Sequence, residues 1–144
     1  MAQMELRGED VDAAAKYLEQ AFDEQHPNPM VLTLLAKLRI KQEKYADAVK
    51  LLELGRKQDP NNLDYLKQLA IGYLKTKQTE KLKDVLQVLA HADADDGSVR
   101  KKLAQIFLDE KNYAQAVKYG REALQVDVLD VKTHTLLADA YTAL

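Results

Sequence analysis

The chain has 144 residues, a length that favours a single domain. Hydrophobic residues make up 47% and charged residues 31%, which is enough apolar material for a packed core and argues against disorder. The formal net charge of −2 gives no general attraction to nucleic acid, and the absence of cysteine excludes disulfides and thiolate metal sites. No run reaches the roughly 18 apolar residues of a membrane-spanning helix, and the first residues lack a signal peptide's apolar run. We therefore expect no nucleic-acid partner and no membrane insertion. The sequence does not indicate a cellular compartment.

The first predicted element is a helix over roughly residues 9–24, with Ala14 and Ala21 on one face. By comparison with the helix pairs that follow in the chain, we expect it to be the second helix of a pair whose first helix is mostly absent from the sequence given. The chain also ends inside a periodic helical pattern. We therefore expect the sequence to be a segment of a longer protein.

Two antiparallel helices are predicted over roughly residues 29–62. Asn28 followed by Pro29 is typical of a helix start, because the Asn side chain caps the helix and the first turn needs no proline N–H. Asp59 and Pro60 end the second helix, because the proline ring would clash with a continuing helix. Between these limits, two apolar stripes recur at helical spacing: Leu32, Leu35, Ala36 and Leu38, then Tyr45, Ala48, Val49, Leu52 and Gly55.

The pattern repeats every 34 residues along the rest of the chain. Each unit carries a Leu-Ala pair in the same register: Leu35-Ala36, Leu69-Ala70, Leu103-Ala104 and Leu137-Ala138. A fixed period of this length indicates stacked copies of one supersecondary unit. Small residues share further columns, as do aromatic ones: Ala14, Ala48 and Ala116; Ala21, Gly55 and Ala123; Tyr73, Phe107 and Tyr141. Such columns let paired helices approach closely and fill the space beside them, which is a packing pattern and not a chemical one.

These residues resemble the signature of the tetratricopeptide repeat (TPR). The resemblance rests on Leu35-Ala36, Tyr45, Ala48, Gly55 and Pro60 in one unit, and on Leu103-Ala104, Phe107, Tyr113, Ala116 and Ala123 in another. It implies an all-α fold, an α-solenoid of antiparallel helix pairs in a right-handed superhelix, with about nine helices. The expected organisation is one array over residues 1–144: a partial unit 1–28, units 29–62, 63–96 and 97–130, and a lone helix 131–144.

No constellation of catalytic or metal-ligating residues is visible in the sequence. The three histidines lie far apart, so we expect His26 and His91 in turns between repeats and His134 on a helix surface. The acidic run before Gly97 fails the spacing of a calcium loop, because its twelfth position is Leu103. Glycine-rich phosphate loops and nucleophile elbows are also absent. We expect no cofactor, no metal and no enzymatic activity in this segment.

The TPR resemblance implies a concave groove lined by the first helix of each unit. The candidate binding residues on that face are Thr33, Lys37, Lys41, Lys67, Ile71, Lys75, Lys101 and Gln105. Lysines outnumber acids there, which favours an acidic peptide or a C-terminal carboxylate as the bound group. Lysines that only keep a helix surface soluble would give the same pattern, and the sequence does not separate the two readings.

The last predicted helix would expose Leu137, Tyr141 and Leu144, because the helix that would cover them lies beyond residue 144. An exposed apolar face of this kind is expected if the sequence is truncated, if this helix caps the array, or if the chain forms a homodimer through it. Two functions follow for the chain. One is a protein-interaction module that binds a peptide or partner segment in its groove, and the other is a spacer or self-association element of a larger, multidomain and even enzymatic protein.

Overall fold

The computed structural model describes residues 8–144, and those residues contain eight α helices and no strand. The helices are α1 Gly8–Ala21, α2 Pro29–Lys41, α3 Tyr45–Gln58, α4 Leu63–Lys75, α5 Thr79–Ala92, α6 Gly97–Asp109, α7 Tyr113–Val126 and α8 Val131–Ala143. Two compact units are present: one extends to Lys77 and the other is Gln78–Leu144. The all-helical prediction is confirmed. The organisation as one continuous array stays a prediction.

A polar cap recurs before each even-numbered helix. Asn28, Asn62, Asp96 and Asp130 stand one period apart, and the side chain of each accepts hydrogen bonds from backbone N–H groups of the helix that follows. The first turn of a helix has no internal acceptor for these N–H groups, so each cap supplies one. Of these four caps, only Asn28 is predicted from the sequence.

A second fixed feature recurs at the end of each even-numbered helix from α2 to α6. Glu43, Lys77 and Lys111 adopt left-handed backbone conformations, with φ of 59°, 58° and 60°. In the turn after α2 the N–H of Lys44 donates to the carbonyl of Arg39 at 2.8 Å, and after α6 that of Asn112 donates to Phe107 at 2.8 Å. These bonds satisfy carbonyls at the helix ends and close tight turns between paired helices.

In the first unit, α3 packs closely between α2 and α4. A Cβ atom on Gly55 would lie 2.9 Å from the Tyr65 ring and 3.0 Å from Leu32, so only glycine fits there without displacing a neighbour. A Cβ on Gly72 would lie 2.5 Å from the Val49 side chain. Gly55, in the predicted column of Ala21 and Ala123, therefore allows the close helix approach that the sequence predicts, whereas Gly72 lies outside the predicted columns.

The second unit packs α7 between α6 and α8. The Phe107 ring stacks on Tyr119 with centroids 5.5 Å apart, and Ala104 and Ala116 are fully buried. On its other side α7 meets α8, where a Cβ on Gly120 would lie 2.9 Å from Leu137.

A buried arginine holds the turn between α5 and α6. The guanidinium of Arg100 donates to the carbonyls of Ala90, Asp93 and Asp96 at 2.6, 2.9 and 3.2 Å, and its Nε lies 3.4 Å from Glu122 Oε2. Arg100 occupies the repeat position of Leu32 and Leu66. Here a long cation replaces an apolar side chain because this turn offers carbonyl oxygens to its five N–H groups.

The first helix differs from its predicted bounds of 9–24 because it ends at Ala21. Beyond it, the N–H of Phe22 donates to the carbonyl of Glu19, and the Asp23 carboxylate accepts a hydrogen bond from the N–H of Gln25 at 2.9 Å. This local side-chain bond competes with helix continuation. None of the helices in residues 8–144 combines the length and the apolar character that crossing a bilayer requires.

We predict that Leu69→Ala lowers the free energy of unfolding by about 2–5 kcal/mol, because a cavity would replace a fully buried side chain. Ile71→Ala, a change on the same helix at a residue 45% exposed, should stay within about 0.5 kcal/mol of wild type. Urea unfolding measures both values. A Leu69→Ala loss as small as that of Ile71→Ala would contradict the packing register.

We also predict that Arg100→Met lowers the free energy of unfolding by about 1–3 kcal/mol, because the carbonyls of Ala90, Asp93 and Asp96 lose their donor. Hydrogen exchange should accelerate at the amides of residues 93–96, which the guanidinium fixes. Arg121→Met changes an exposed arginine in the same unit and serves as the control. Equal exchange rates in the turn of both variants would show that Arg100 does not hold it.

Candidate partner-binding surface

Six of the predicted binding residues lie on α2 and α4 of the first unit, and we call them the lysine face: Thr33, Lys37, Lys41, Lys67, Ile71 and Lys75. On each helix they follow a spacing of four residues, which places them along one side of the helix. The two rows meet through an ion pair, because Lys37 Nζ lies 3.3 Å from Asp64 Oδ2. The structure therefore brings this part of the prediction together on one surface.

The cations of the lysine face differ in what surrounds them. Lys37 is neutralised in part by Asp64, and the Lys75 ammonium lies 5.7 Å from the centroid of the Tyr45 ring, a cation–π distance. Lys41 and Lys67 are exposed and make no hydrogen bond or ion pair with other residues in the range 8–144. Two ammonium groups of this surface are therefore available to an anionic partner.

Exposed apolar side chains accompany these cations. Ile71 is 45% exposed in the α4 row, and Leu34 on α2 and Leu74 on α4 are 44% and 46% exposed. Thr33, in contrast, donates its hydroxyl to the carbonyl of Pro29 at 2.8 Å within its own helix. The surface thus offers cationic and apolar contacts, and the hydroxyl of Thr33 is already engaged.

The two predicted residues of the second unit are already engaged with acids. Lys101 Nζ lies 2.6 Å from Asp130 Oδ2, and Gln105 donates to Asp109 at 2.9 Å. The Lys101 ammonium and the Thr133 hydroxyl lower the pKa of the Asp130 carboxyl from 3.8 to about 2. Asp130 is thus a carboxylate at neutral pH and withholds Lys101 from an external anion.

A groove between α1 and α2 was not anticipated. It has a volume of about 540 Å³ and is lined by Ala14, Tyr17, Leu18, Leu34 and Leu38, together with Lys37 and Lys41. Its floor is apolar because Val11, Ala15 and Leu38 form a buried cluster beneath it. The signal in the sequence was the apolar stripe of Ala14, Leu18 and Ala21 on α1.

The predicted apolar face of α8 needs a correction. Leu137 is buried, at 7% exposure, because its side chain packs over Gly120 of α7. Tyr141 and Leu144 are 53% and 71% exposed, and Ala138 is also exposed. The exposed face therefore consists of Ala138, Tyr141 and Leu144, and Leu137 belongs to the core.

The histidines lie apart from one another, each beside its own local partner. His26 is 3.5 Å from Asp23, and His134 Nε2 is 2.8 Å from the carbonyl of Val128. His91 was expected in a turn, yet it belongs to the last turn of α5, where its Nδ1 lies 2.7 Å from the Gln87 carbonyl. Among residues 8–144 no three His, Cys, Asp or Glu side chains converge in a way that could hold a metal ion.

Comparisons with known proteins find a matching family and several similar structures. A family model described as Tetratricopeptide repeat matches residues 5–70 and again residues 40–106. No curated protein matches the sequence. Among solved structures, MamA AMB-1 is 21% identical with a TM-score of 0.83, and the alignment covers 92% of this chain and 72% of that chain. MamA MSR-1 is 21% identical with a TM-score of 0.78, covering 92% and 76%.

A tetratricopeptide repeat protein from Parabacteroides merdae ATCC 43184 is 20% identical with a TM-score of 0.76, covering 94% of this chain and 54% of that chain. At such identities the structural matches establish the fold alone. The family matches carry more weight, because together they span residues 5–106, well over half of the sequence. The chain therefore belongs to the tetratricopeptide repeat family.

Proposed function

We propose that the chain is a non-catalytic protein-interaction scaffold that binds an acidic, extended or helical segment of a partner on the lysine face. The observation that carries this proposal is the pair of parallel lysine rows on α2 and α4, linked by Lys37 and Asp64. Membership of the TPR family supports the general role, because repeat proteins of this kind present extended binding surfaces.

The chemistry of the surface favours a partner with both acidic and apolar side chains. Lys41 and Lys67 offer ammonium groups that no described residue neutralises, and Ile71 lies between the lysines of its own row. Carboxylates attracted by the cations would speed the encounter and set the orientation, while an apolar anchor over Ile71 would supply affinity. Lys101 and Gln105 would contribute less, because their side chains already bind Asp130 and Asp109.

A spacer or self-association role is the second candidate function. The exposed face of α8, with Tyr141 at 53% and Leu144 at 71%, favours it. This role does not compete with the first for residues, because the lysine face belongs to the other unit.

We predict that Lys41→Glu combined with Lys67→Glu weakens binding of an acidic segment by about tenfold or more, because two attractive charges become repulsive. The probe is a set of peptides of about 12 residues, selected from a random library against the wild-type chain. We expect the selected peptides to be rich in Asp and Glu around an apolar residue, and their binding to weaken with added salt.

Lys50→Glu combined with Lys57→Glu is the matched control, because it makes the same charge change at two exposed lysines of α3. The control should bind the selected peptides nearly as well as wild type. Equal losses in the two double variants, or a library that yields no acidic peptides, would overturn the proposal.

A further inference from the structure

The turn between α7 and α8 exposes three aliphatic side chains, which we call the aliphatic turn: Val126, Val128 and Leu129. They are 45%, 66% and 83% exposed. The matching residues of the two preceding turns of the repeat include no large aliphatic side chain: Ala92, Ala94 and Asp95 one period earlier, and Gln58, Pro60 and Asn61 two periods earlier. The exposed apolar surface therefore belongs to this turn alone of the three, and the repeat fold does not require it.

Helices that follow a turn leave these three positions exposed. The α5–α6 turn is followed by α7 and α8 in its own unit, yet its three matching residues are all exposed. Only the position of Val131 differs. Gly97, one period before it, is partly covered, because Val126 of the next turn lies 3.1 Å from where a Cβ atom of Gly97 would be. By the same geometry, a further repeat after α8 would contact Val131 and would leave the aliphatic turn in water.

Hydrogen bonds fix the backbone of the aliphatic turn. The N–H of Leu129 donates to the Asp127 carboxylate at 3.2 Å, and the N–H of Asp130 donates to the Asp127 carbonyl at 3.3 Å. His134 Nε2 lies 2.8 Å from the carbonyl of Val128. Because these bonds order the turn before any partner arrives, less conformational entropy is lost when a partner binds to it.

Val126 lines two separate hollows of the second unit. The smaller has a volume of about 240 Å³ and includes Ser98 of α6 and Thr133 of α8 in its lining. The larger, of about 510 Å³, includes Ala94 and Gln125. An apolar surface beside two concavities can receive several side chains of one partner segment, which is how the central contacts of an interface are built.

The surroundings of the aliphatic turn carry unpaired negative charge. Lys101 in the smaller hollow and Arg100 in the larger one are each paired with a carboxylate. Asp127 lines the smaller hollow and Asp95 the larger one, and neither has a cationic partner among residues 8–144. The only cation in the sequence from 125 to 133 is Lys132, which lines neither hollow. A positively charged partner therefore complements this surface.

We propose that the aliphatic turn binds a segment of a partner protein in which a bulky apolar side chain is flanked by Lys or Arg. The apolar side chain packs on Val128 and Leu129, and the cations meet Asp95 and Asp127. A bilayer suits the surface less well, because its anionic lipids would repel the two carboxylates.

This inference is independent of the lysine face. The two surfaces lie on different units and select partners of opposite charge, so neither competes with the other for a ligand. A chain that uses both would join an acidic partner to a basic one.

The test uses peptides of about 12 residues, selected from a random library against the full 144-residue chain. The pool is then depleted on the double variant Val128→Ala with Leu129→Asp, which copies Ala94 and Asp95 of the α5–α6 turn and so suits the backbone of the repeat. We expect the retained peptides to carry Leu, Ile, Phe or Trp beside Lys or Arg. The double variant should bind them about tenfold more weakly, or less, than wild type.

Three further double variants separate the contributions. Pro60→Ala with Asn61→Asp places the same residue pair in the α3–α4 turn and should bind the retained peptides like wild type. Asp95→Asn with Asp127→Asn keeps an oxygen acceptor for the N–H of Leu129 but removes two charges. It should weaken binding and reduce its dependence on salt. Lys41→Glu with Lys67→Glu should leave binding of these peptides intact.

A depleted pool without basic, apolar peptides would overturn the proposal. So would equal losses in the Val128→Ala, Leu129→Asp variant and in its α3–α4 control, with circular dichroism showing that both are folded. Loss of binding in the Lys41→Glu, Lys67→Glu variant would assign the peptides to the lysine face and would also overturn it. Binding to phosphatidylcholine vesicles, lost in Val128→Ala with Leu129→Asp and seen without any retained peptide, would assign the turn to a bilayer instead.

Discussion

Close contact between neighbouring helices at small residues is the constraint on which the packing within each unit depends. Gly55, in the column of Ala21 and Ala123, allows Tyr65 and Leu32 to lie where a side chain would clash. Gly120 does the same for Leu137, although its repeat column otherwise holds leucine. With the helices this close, the leucines and aromatic residues beside the columns are removed from water.

Much of this could be predicted from the sequence, because a packing column needs only a residue type at a fixed interval. The helices, their pairing and the burial of Leu35, Leu69 and Leu103 all follow from the period. Contacts between residues of different columns do not follow from the period. Lys37 meets Asp64 and Lys101 meets Asp130 through the stagger of neighbouring helices, which the period alone does not give. The burial of Leu137 was not predicted, because it depends on the close helix approach at Gly120. The hydrogen bonds of Arg100 in its turn were not predicted, because they depend on the directions in which the carbonyl groups point.

The lysine face and the apolar groove adjoin one another in the first unit. The lysine face uses sides of α2 and α4 that point away from the packing columns, so its residues are free to vary without cost to the core. The groove and the face of α8 instead use packing positions that have no partner helix within residues 8–144. Lys37 and Lys41 belong to both the lysine face and the groove. A helix bound in the groove would therefore restrict access to part of the lysine face.

The central claim is that the lysine face binds an acidic segment of a partner, and NMR titration of the chain with a library-selected acidic peptide tests it most directly. We predict that the backbone amide shifts that change on binding concentrate on α2 and α4, around Lys41, Lys67 and Ile71. Shift changes that concentrate on α7 and α8, with α2 and α4 unchanged, would contradict the claim.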